Sequence, residues 1–202
     1  MTFEIIASGS KANAVIIEKT LVDCGVPFAK LQERLYDVKV LLITHVHSDH
    51  LKKATFQKIR KSHPRITVIG NHEVHQTVGV DVISNPGYEI KAGGTIYLPF
   101  EAPHDVECHG YVWEVKGQRI IYATDLWSTE YAPEGPYDWI FMESNHDETK
   151  VQEVMNRSHN GYDAWRSAKR HLSRQQAKEF YYVNRRGKES QWIELHKSER
   201  FY

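Results

Sequence analysis

The segment that most constrains this chain is the run Val38 to Ile43 (VKVLLI), which reads as a buried strand and ends directly in Thr44-His45-Val46-His47-Ser48-Asp49-His50. Four strong metal ligands, His45, His47, Asp49 and His50, therefore fall within six residues at the end of a fixed backbone. In an extended segment His45 and His47, two apart, point their imidazoles the same way. Asp49 and His50 follow where the chain turns towards the next helix, and they can face a second ion about 3.5–4 Å from the first. The competing reading is a His-rich polar loop. The placement directly after a buried strand favours a two-metal hydrolase.

The rest of the chain is read around that strand. Short apolar or β-branched runs at Phe3 to Ala7, Ala14 to Glu18 and Thr20 to Val22 predict strands. Pro27 sits where a helix would begin, with Phe28, Leu31 and Leu35 spaced to share one face. A helix over Ala54 to Arg60 and a strand over Ile66 to Ile69 follow, and Asn71 is placed to cap a short helix through Thr77. The middle is mostly β: a tight turn at Gly93-Gly94, a hairpin from Tyr111 to Val115 and Arg119 to Ala123, and a buried strand at Trp139 to Met142. From Glu148 to about Arg185 the pattern is helical and basic, and Gln191 to Leu195 supplies a last strand. With 202 residues, no repeat and no linker, the expectation is a single α/β domain over residues 1–202 with mixed sheets.

Composition excludes little but sets the compartment. Lys plus Arg balance Asp plus Glu, 26 against 26, so global charge identifies no partner. Two cysteines, Cys24 and Cys108, are too few for a disulfide scaffold and read as buried thiols. There is no basic region leading into a long apolar stretch at the start, and no apolar run of the roughly 20 residues needed to cross a bilayer. These features predict a cytoplasmic protein that does not enter membranes.

His45-Val-His47-Ser-Asp49-His50 resembles the HxHxDH signature of the metallo-β-lactamase superfamily, and further motifs follow in the family's order. Asp23 in Leu21-Val22-Asp23-Cys24-Gly25 resembles the early structural aspartate. His104 in Ala102-Pro103-His104-Asp105 resembles the third motif, and Asp125 in Ala123-Thr124-Asp125 the bridging carboxylate. His171 in His171-Leu172-Ser173 resembles the final ligand. The resemblance implies an αβ/βα four-layer sandwich with two divalent ions, Zn²⁺ or Mn²⁺, at one edge. It gives His45, His47 and His104 to one ion, Asp49, His50 and His171 to the other, and Asp125 to both. Such a donor set suits these ions, and a water held between two cations is acidified towards neutral pH.

Three segments resemble the WalJ/YycJ-like branch of small exonuclease-like members, which implies phosphodiesters as substrates. They are Ser8-Gly9-Ser10-Lys11-Ala12-Asn13-Ala14, where Ala12 replaces the family glycine; Glu143-Ser144-Asn145-His146-Asp147; and His171-Leu172-Ser173, flanked by Arg170 and Arg174 in place of Gly and Asn. On that reading Ser10, Asn13, Arg170 and Arg174 contact substrate, Asp49 serves catalysis as well as the metal, and His146 donates a proton to the leaving group. Asn145 or Asp147 would orient His146 or bind phosphate; either could instead cap the helix beginning at Glu148. Between Arg157 and Lys188 nine basic residues face two acidic ones, a local net charge of +7. That stripe suits a phosphate backbone, or it is a solvated helix face. Trp165, Tyr162 and Tyr131 could stack on bases or belong to the core. His109 could line the cleft, whereas His63, His72 and His75 read as surface residues. The expectation is a DNA- or RNA-cutting, exonuclease-like phosphodiesterase. A small cyclic or signalling nucleotide is the nearest rival substrate and a thioester or lactone a more distant one, and a homodimer is compatible with the resemblance.

Overall fold

A computed structural model describes residues 1–157, 168–199 and 201–202. Two six-stranded sheets carry the fold. The first holds β1 (Phe3–Ala7), β2 (Ala14–Ile17), β3 (Thr20–Val22), β4 (Val40–Ile43), β5 (Thr67–Gly70) and β6 (Val82–Ile83), in chain order across the sheet. The second runs β12 (Gln191–Leu195), β11 (Trp139–Glu143), β10 (Gln118–Ala123), β9 (His109–Val115), β8 (Thr95–Glu101) and β7 (Ile90–Ala92). Each sheet joins an antiparallel meander to a parallel portion. β3, β4, β5 and β6 are parallel in the first sheet, and β10, β11 and β12 in the second.

The apolar runs are continuous because both faces of each sheet are covered. Along β4, Val40 and Leu42 join the core between the sheets, while Leu41 and Ile43 face the outer layer. Along β10, Ile120 and Tyr122 point inwards and Ile121 and Ala123 outwards, the period of two expected of a strand. Leu31, Leu35, α1 (Lys53–Ser62) and α2 (His72–Val78) cover the outside of the first sheet. Leu172 and α4 (Arg174–Asn184) cover the second. α3 (Glu148–Arg157) packs separately, with Val151 against Ala168 and Phe201. The four layers are thus helix, sheet, sheet, helix, as expected.

Local signals account for several boundaries. Asn71 caps α2 by accepting from the Val74 N–H at 2.8 Å, and Ser173 and Gln176 form a reciprocal capping box on α4. Gly93 and Gly94 both adopt positive φ, 58° and 86°, which the two-residue turn between β7 and β8 requires. One expectation changes form. The segment after Pro27 is not an α-helix but two 3-10 turns, Phe28–Lys30 and Gln32–Asp37. Leu31 and Leu35 are buried as expected, and the longer 3-10 rise of about 2.0 Å per residue carries the chain across the sheet in fewer residues. Among the described residues no helix is long and apolar enough to cross a membrane.

Candidate metal centre

The candidate ligands gather at strand ends, since the sheets fix the backbone and the loops beyond them free the side chains. On the first sheet, Asp23 follows β3 and the histidine run follows β4. Asp23 is fully buried and has φ of 61°. Its carboxylate accepts from the Thr44 N–H (2.8 Å) and the Thr44 hydroxyl (3.1 and 3.0 Å), and lies 2.7 Å from His50 Nδ1. Holding Nδ1 in this way fixes the tautomer that presents Nε2 as a ligand. Cys24 N–H donates to the His50 carbonyl (2.8 Å), and a Cβ on Gly25 would lie 1.6 Å from the Asp49 carbonyl oxygen. Only glycine admits that approach, which packs the loop at residue 23 against the loop at residue 49. Asn13 is also buried here, its amide nitrogen 3.2 Å from Asp49 Oδ2 and 2.7 Å from His50 Nε2.

The second sheet supplies residues from separate segments. His104 follows β8, Asp125 follows β10, Glu143 closes β11 and His196 follows β12. Asp125, with φ of 56°, lies 2.9 Å from His50 Nε2, 3.5 Å from His196 Nε2 and 3.9 Å from His104 Nε2. Glu143 is fully buried; one carboxylate oxygen lies 2.7 Å from His171 Nδ1 and 3.1 Å from His196 Nδ1, and the other accepts the Leu126 N–H at 2.9 Å. One buried carboxylate therefore orients both late histidines.

Four groups of potential ligand atoms result: His45, His47 and His104; His45, His50 and Asp125; Asp49, His50 and His196; and Asp125, Glu143, His171 and His196. Several of these atoms have no partner within the protein. His45 Nε2, His104 Nδ1 and His196 Nε2 are buried without a hydrogen bond among the described residues. Buried polar atoms left in this state are costly, and cations offset that cost. The electrostatics agree. Burial lowers the pKa of His50, but Asp125 and Asp23 outweigh it and raise the value to about 10. Burial would raise that of Asp125, but His50 and His196 hold it well below the usual carboxylate range. His171 likewise overcomes burial through Glu143 and is raised, whereas burial lowers His45, His104 and His146. The donor set and its unpartnered atoms fit two divalent cations.

The run His45 to His50, together with His104 and Asp125, lies in one cluster. Glu143 and His196 are the residues that the sequence reading did not select. His196 follows a strand end just as His45 and Asp125 do, and Glu143 is the acidic end of a buried strand; both signals are visible in the sequence. His171 belongs to the fourth group, its Nδ1 held by Glu143 and 3.9 Å from Asp125, while His146 lies outside the four groups. Asn145 donates to the His196 carbonyl at 2.9 Å, and Asp147 caps α3 by accepting from Thr149 N–H at 2.9 Å. Ser10 and Arg170 are exposed, and Arg174 pairs with Glu194 at 3.2 Å. Arg186 pairs with Asp138 at 2.8 Å, and Arg185 lies over the ring of Tyr182, so part of the basic stripe is locally engaged. Trp165, Tyr162, Arg166 and the side chain of Arg157 lie outside the described residues. Tyr131 is exposed, and His109 is buried, with Nδ1 2.9 Å from the Ser84 hydroxyl. Cys24 and Cys108 are buried free thiols, both pushed up by burial.

Two clefts flank the cluster, about 360 Å³ beside His171 and about 440 Å³ beside His104. A larger cavity of about 800 Å³, between the 128–136 loop and α4, contains none of the candidate ligands.

No family model matches the chain, and no curated protein does. Solved structures do. The short form of human tRNase Z aligns with a TM-score of 0.71 at 14% identity, covering 98% of this chain and 93% of its own. The metallo-β-lactamase fold protein YhfI from Bacillus subtilis gives 0.71 at 17% identity, covering 98% and 86%. A diphosphatase of the PhnP family gives 0.64 at 15%, covering 98% and 87%. With two facing six-stranded sheets that superpose on these structures over 98% of its length, this chain has the metallo-β-lactamase fold.

Proposed function

We propose that the protein is a dinuclear metal-dependent phosphodiesterase acting on nucleic acid or nucleotides. The observation that carries this reading is that His45, His47 and His104 form one group of potential ligand atoms and Asp49, His50 and His196 another, with Asp125 within 2.9 Å of His50, 3.5 Å of His196 and 3.9 Å of His104. Those two sets, sharing Asp125, would hold the two ions. In this proposal His196 takes the place that the resemblance gives to His171: its Nε2 lies 3.5 Å from Asp125 and 4.0 Å from Asp49, whereas His171 comes within 3.9 Å of Asp125 through the Nδ1 that Glu143 holds at 2.7 Å. Two cations so held, Zn²⁺ or Mn²⁺, would acidify water between them and offset charge on a phosphodiester.

His171 then has a different task. Its Nδ1 faces Glu143, which leaves Nε2 for the cleft. We assign it, rather than His146, the proton delivered to the leaving oxygen; Glu143 positions its ring. A phosphodiester substrate is further supported by two fold neighbours, one a tRNase Z and the other a diphosphatase. The pairing of Arg174 with Glu194 and of Arg186 with Asp138 leaves less free positive charge than the sequence suggests. That observation favours a second reading, a small cyclic or signalling nucleotide.

Purified protein loaded with Mn²⁺ or Zn²⁺ is tested on single-stranded oligonucleotides, cyclic nucleotides, a thioester and a lactone. Hydrolysis of either phosphodiester class supports the proposal. Turnover of the thioester or lactone alone overturns it. His171→Ala is expected to slow oligonucleotide cleavage about 10²–10⁴-fold, the usual contribution of a general acid. The variant should spare bis(p-nitrophenyl) phosphate, whose leaving group needs no proton, and should retain both metal equivalents.

A further inference from the structure

Trp127 lies two residues beyond Asp125, and the mechanism above gives it no part. Its backbone is fixed on both sides: Trp127 N–H donates to the Pro103 carbonyl at 3.1 Å, next to His104, and Leu126 N–H donates to Glu143. Despite that anchoring the residue is 43% exposed. It lines both clefts that flank the metal centre. A large aromatic surface held rigidly beside a reaction centre and left half in solvent has no core to serve.

The two clefts differ in chemistry. The one bordering His104 carries two carboxylates, Glu101 and Glu107, and no lysine or arginine, which disfavours a phosphate-bearing ligand. The other has an apolar wall of Val151, Met155 and Ala168, polar groups from His146, Gln152 and Gln176, and one charge of each sign, Glu148 and Lys169. His146 is 5% exposed, and its Nδ1 has no hydrogen-bond partner among the described residues. Its volume of about 360 Å³ lies in the range of small-molecule sites. Planar faces against an apolar wall, with hydrogen-bonding groups at the rim, match a nucleobase.

We propose that this cleft is a nucleoside subsite, in which a base flanking the scissile phosphodiester stacks on Trp127 and hydrogen-bonds to His146. The inference rests on the phosphodiesterase reading for the position of the phosphate. It requires recognition of the base itself, so a phosphodiester lacking a base is a poor ligand.

Tryptophan fluorescence of the metal-loaded protein should be quenched by deoxyadenosine 5′-monophosphate and not by ribose 5-phosphate. The quench should be absent in Trp127→Phe, which separates this indole from the other four tryptophans. With a dinucleotide substrate, Trp127→Ala should raise KM about 5- to 150-fold, as loss of one stacked base does, and leave kcat within about twofold. Trp127→Phe should restore most of the affinity. Replacing both bases by abasic sugars should raise KM for the parent protein and remove the effect of Trp127→Ala. Equal KM values for parent and Trp127→Ala on the dinucleotide, or equal quenching by ribose 5-phosphate, overturn the subsite. Quenching by the nucleotide with no hydrolysis of any phosphodiester supports the subsite and overturns the phosphodiesterase reading.

Discussion

The two edges of the metal centre are built in opposite ways. At the first sheet, one short loop carries His45, His47, Asp49 and His50, and its supports are saturated: Asp23 meets Thr44 twice and His50 once, all fully buried. At the second sheet, His104, Asp125, His171 and His196 come from four separate segments, and Glu143 ties the last two together. The first edge is specified by local sequence and the second by topology. Parallel strands β10, β11 and β12 must be in register before Asp125, Glu143 and His196 can meet.

The largest expected effect tests the residue where the edges join. Asp125→Ala should lose both metal equivalents, measured by atomic absorption after desalting. Phosphodiesterase turnover should fall at least about 10²-fold, the upper end of what even supporting residues cost. A variant that keeps both ions would break the picture of a shared carboxylate.

The supports can then be compared directly. Asp23→Asn and Glu143→Gln each keep their shape and lose their charge. Each should weaken metal affinity about 10–100-fold in competition with a chelator. Asp23→Asn should affect the site of His50, whereas Glu143→Gln should also slow substrates with poor leaving groups, because it releases His171. Equal kinetic profiles for the two would erase the distinction drawn between the edges.

A smaller effect depends on pH. In the metal-free protein the folded-state pKa of His50, about 10, exceeds that of an ordinary unfolded histidine, about 6.5. The stability contributed by that proton is therefore fully present below about pH 6.5 and is lost as pH rises through about 10. Thermal melts of the chelated protein should fall across that window. The metal-loaded protein, in which the cation displaces the proton, should hold its Tm or gain.

The smallest contrast concerns the basic stripe. Arg174 is already paired with Glu194, whereas Arg170 is exposed with no ion pair among the described residues. If oligonucleotides bind here, Arg170→Ala should reduce the slope of log affinity against log salt by about 1, and Arg174→Ala by less.

The same contrast explains what the sequence could disclose. Mixed α/β sheets are legible because strands such as β4 are apolar on both faces, the four layers follow from the resemblance alone, and the histidine run stands out because its candidate ligands are neighbours. His196 and Glu143 are harder to select: each is visible as a single polar residue at a strand end, but its partners come from strands distant in sequence. The helix expected after Pro27 became 3-10 turns because apolar spacing reports which side chains are buried, here Leu31 and Leu35, and not the pitch between them. Charge counted along the chain likewise missed Asp138 and Glu194, which lie outside the stripe and neutralise parts of it.

Among the described residues, five that are not glycine adopt positive φ, and three of them are Asp23, Asp125 and His196. That backbone region admits few side chains at low cost, and asparagine, aspartate and histidine are the types most enriched there. Two of those three types are also metal ligands. At these strand ends the conformational requirement and the coordination requirement thus select the same small alphabet. Introducing a β-branched residue at Asp125 or His196 would therefore carry a backbone cost in addition to any change in coordination.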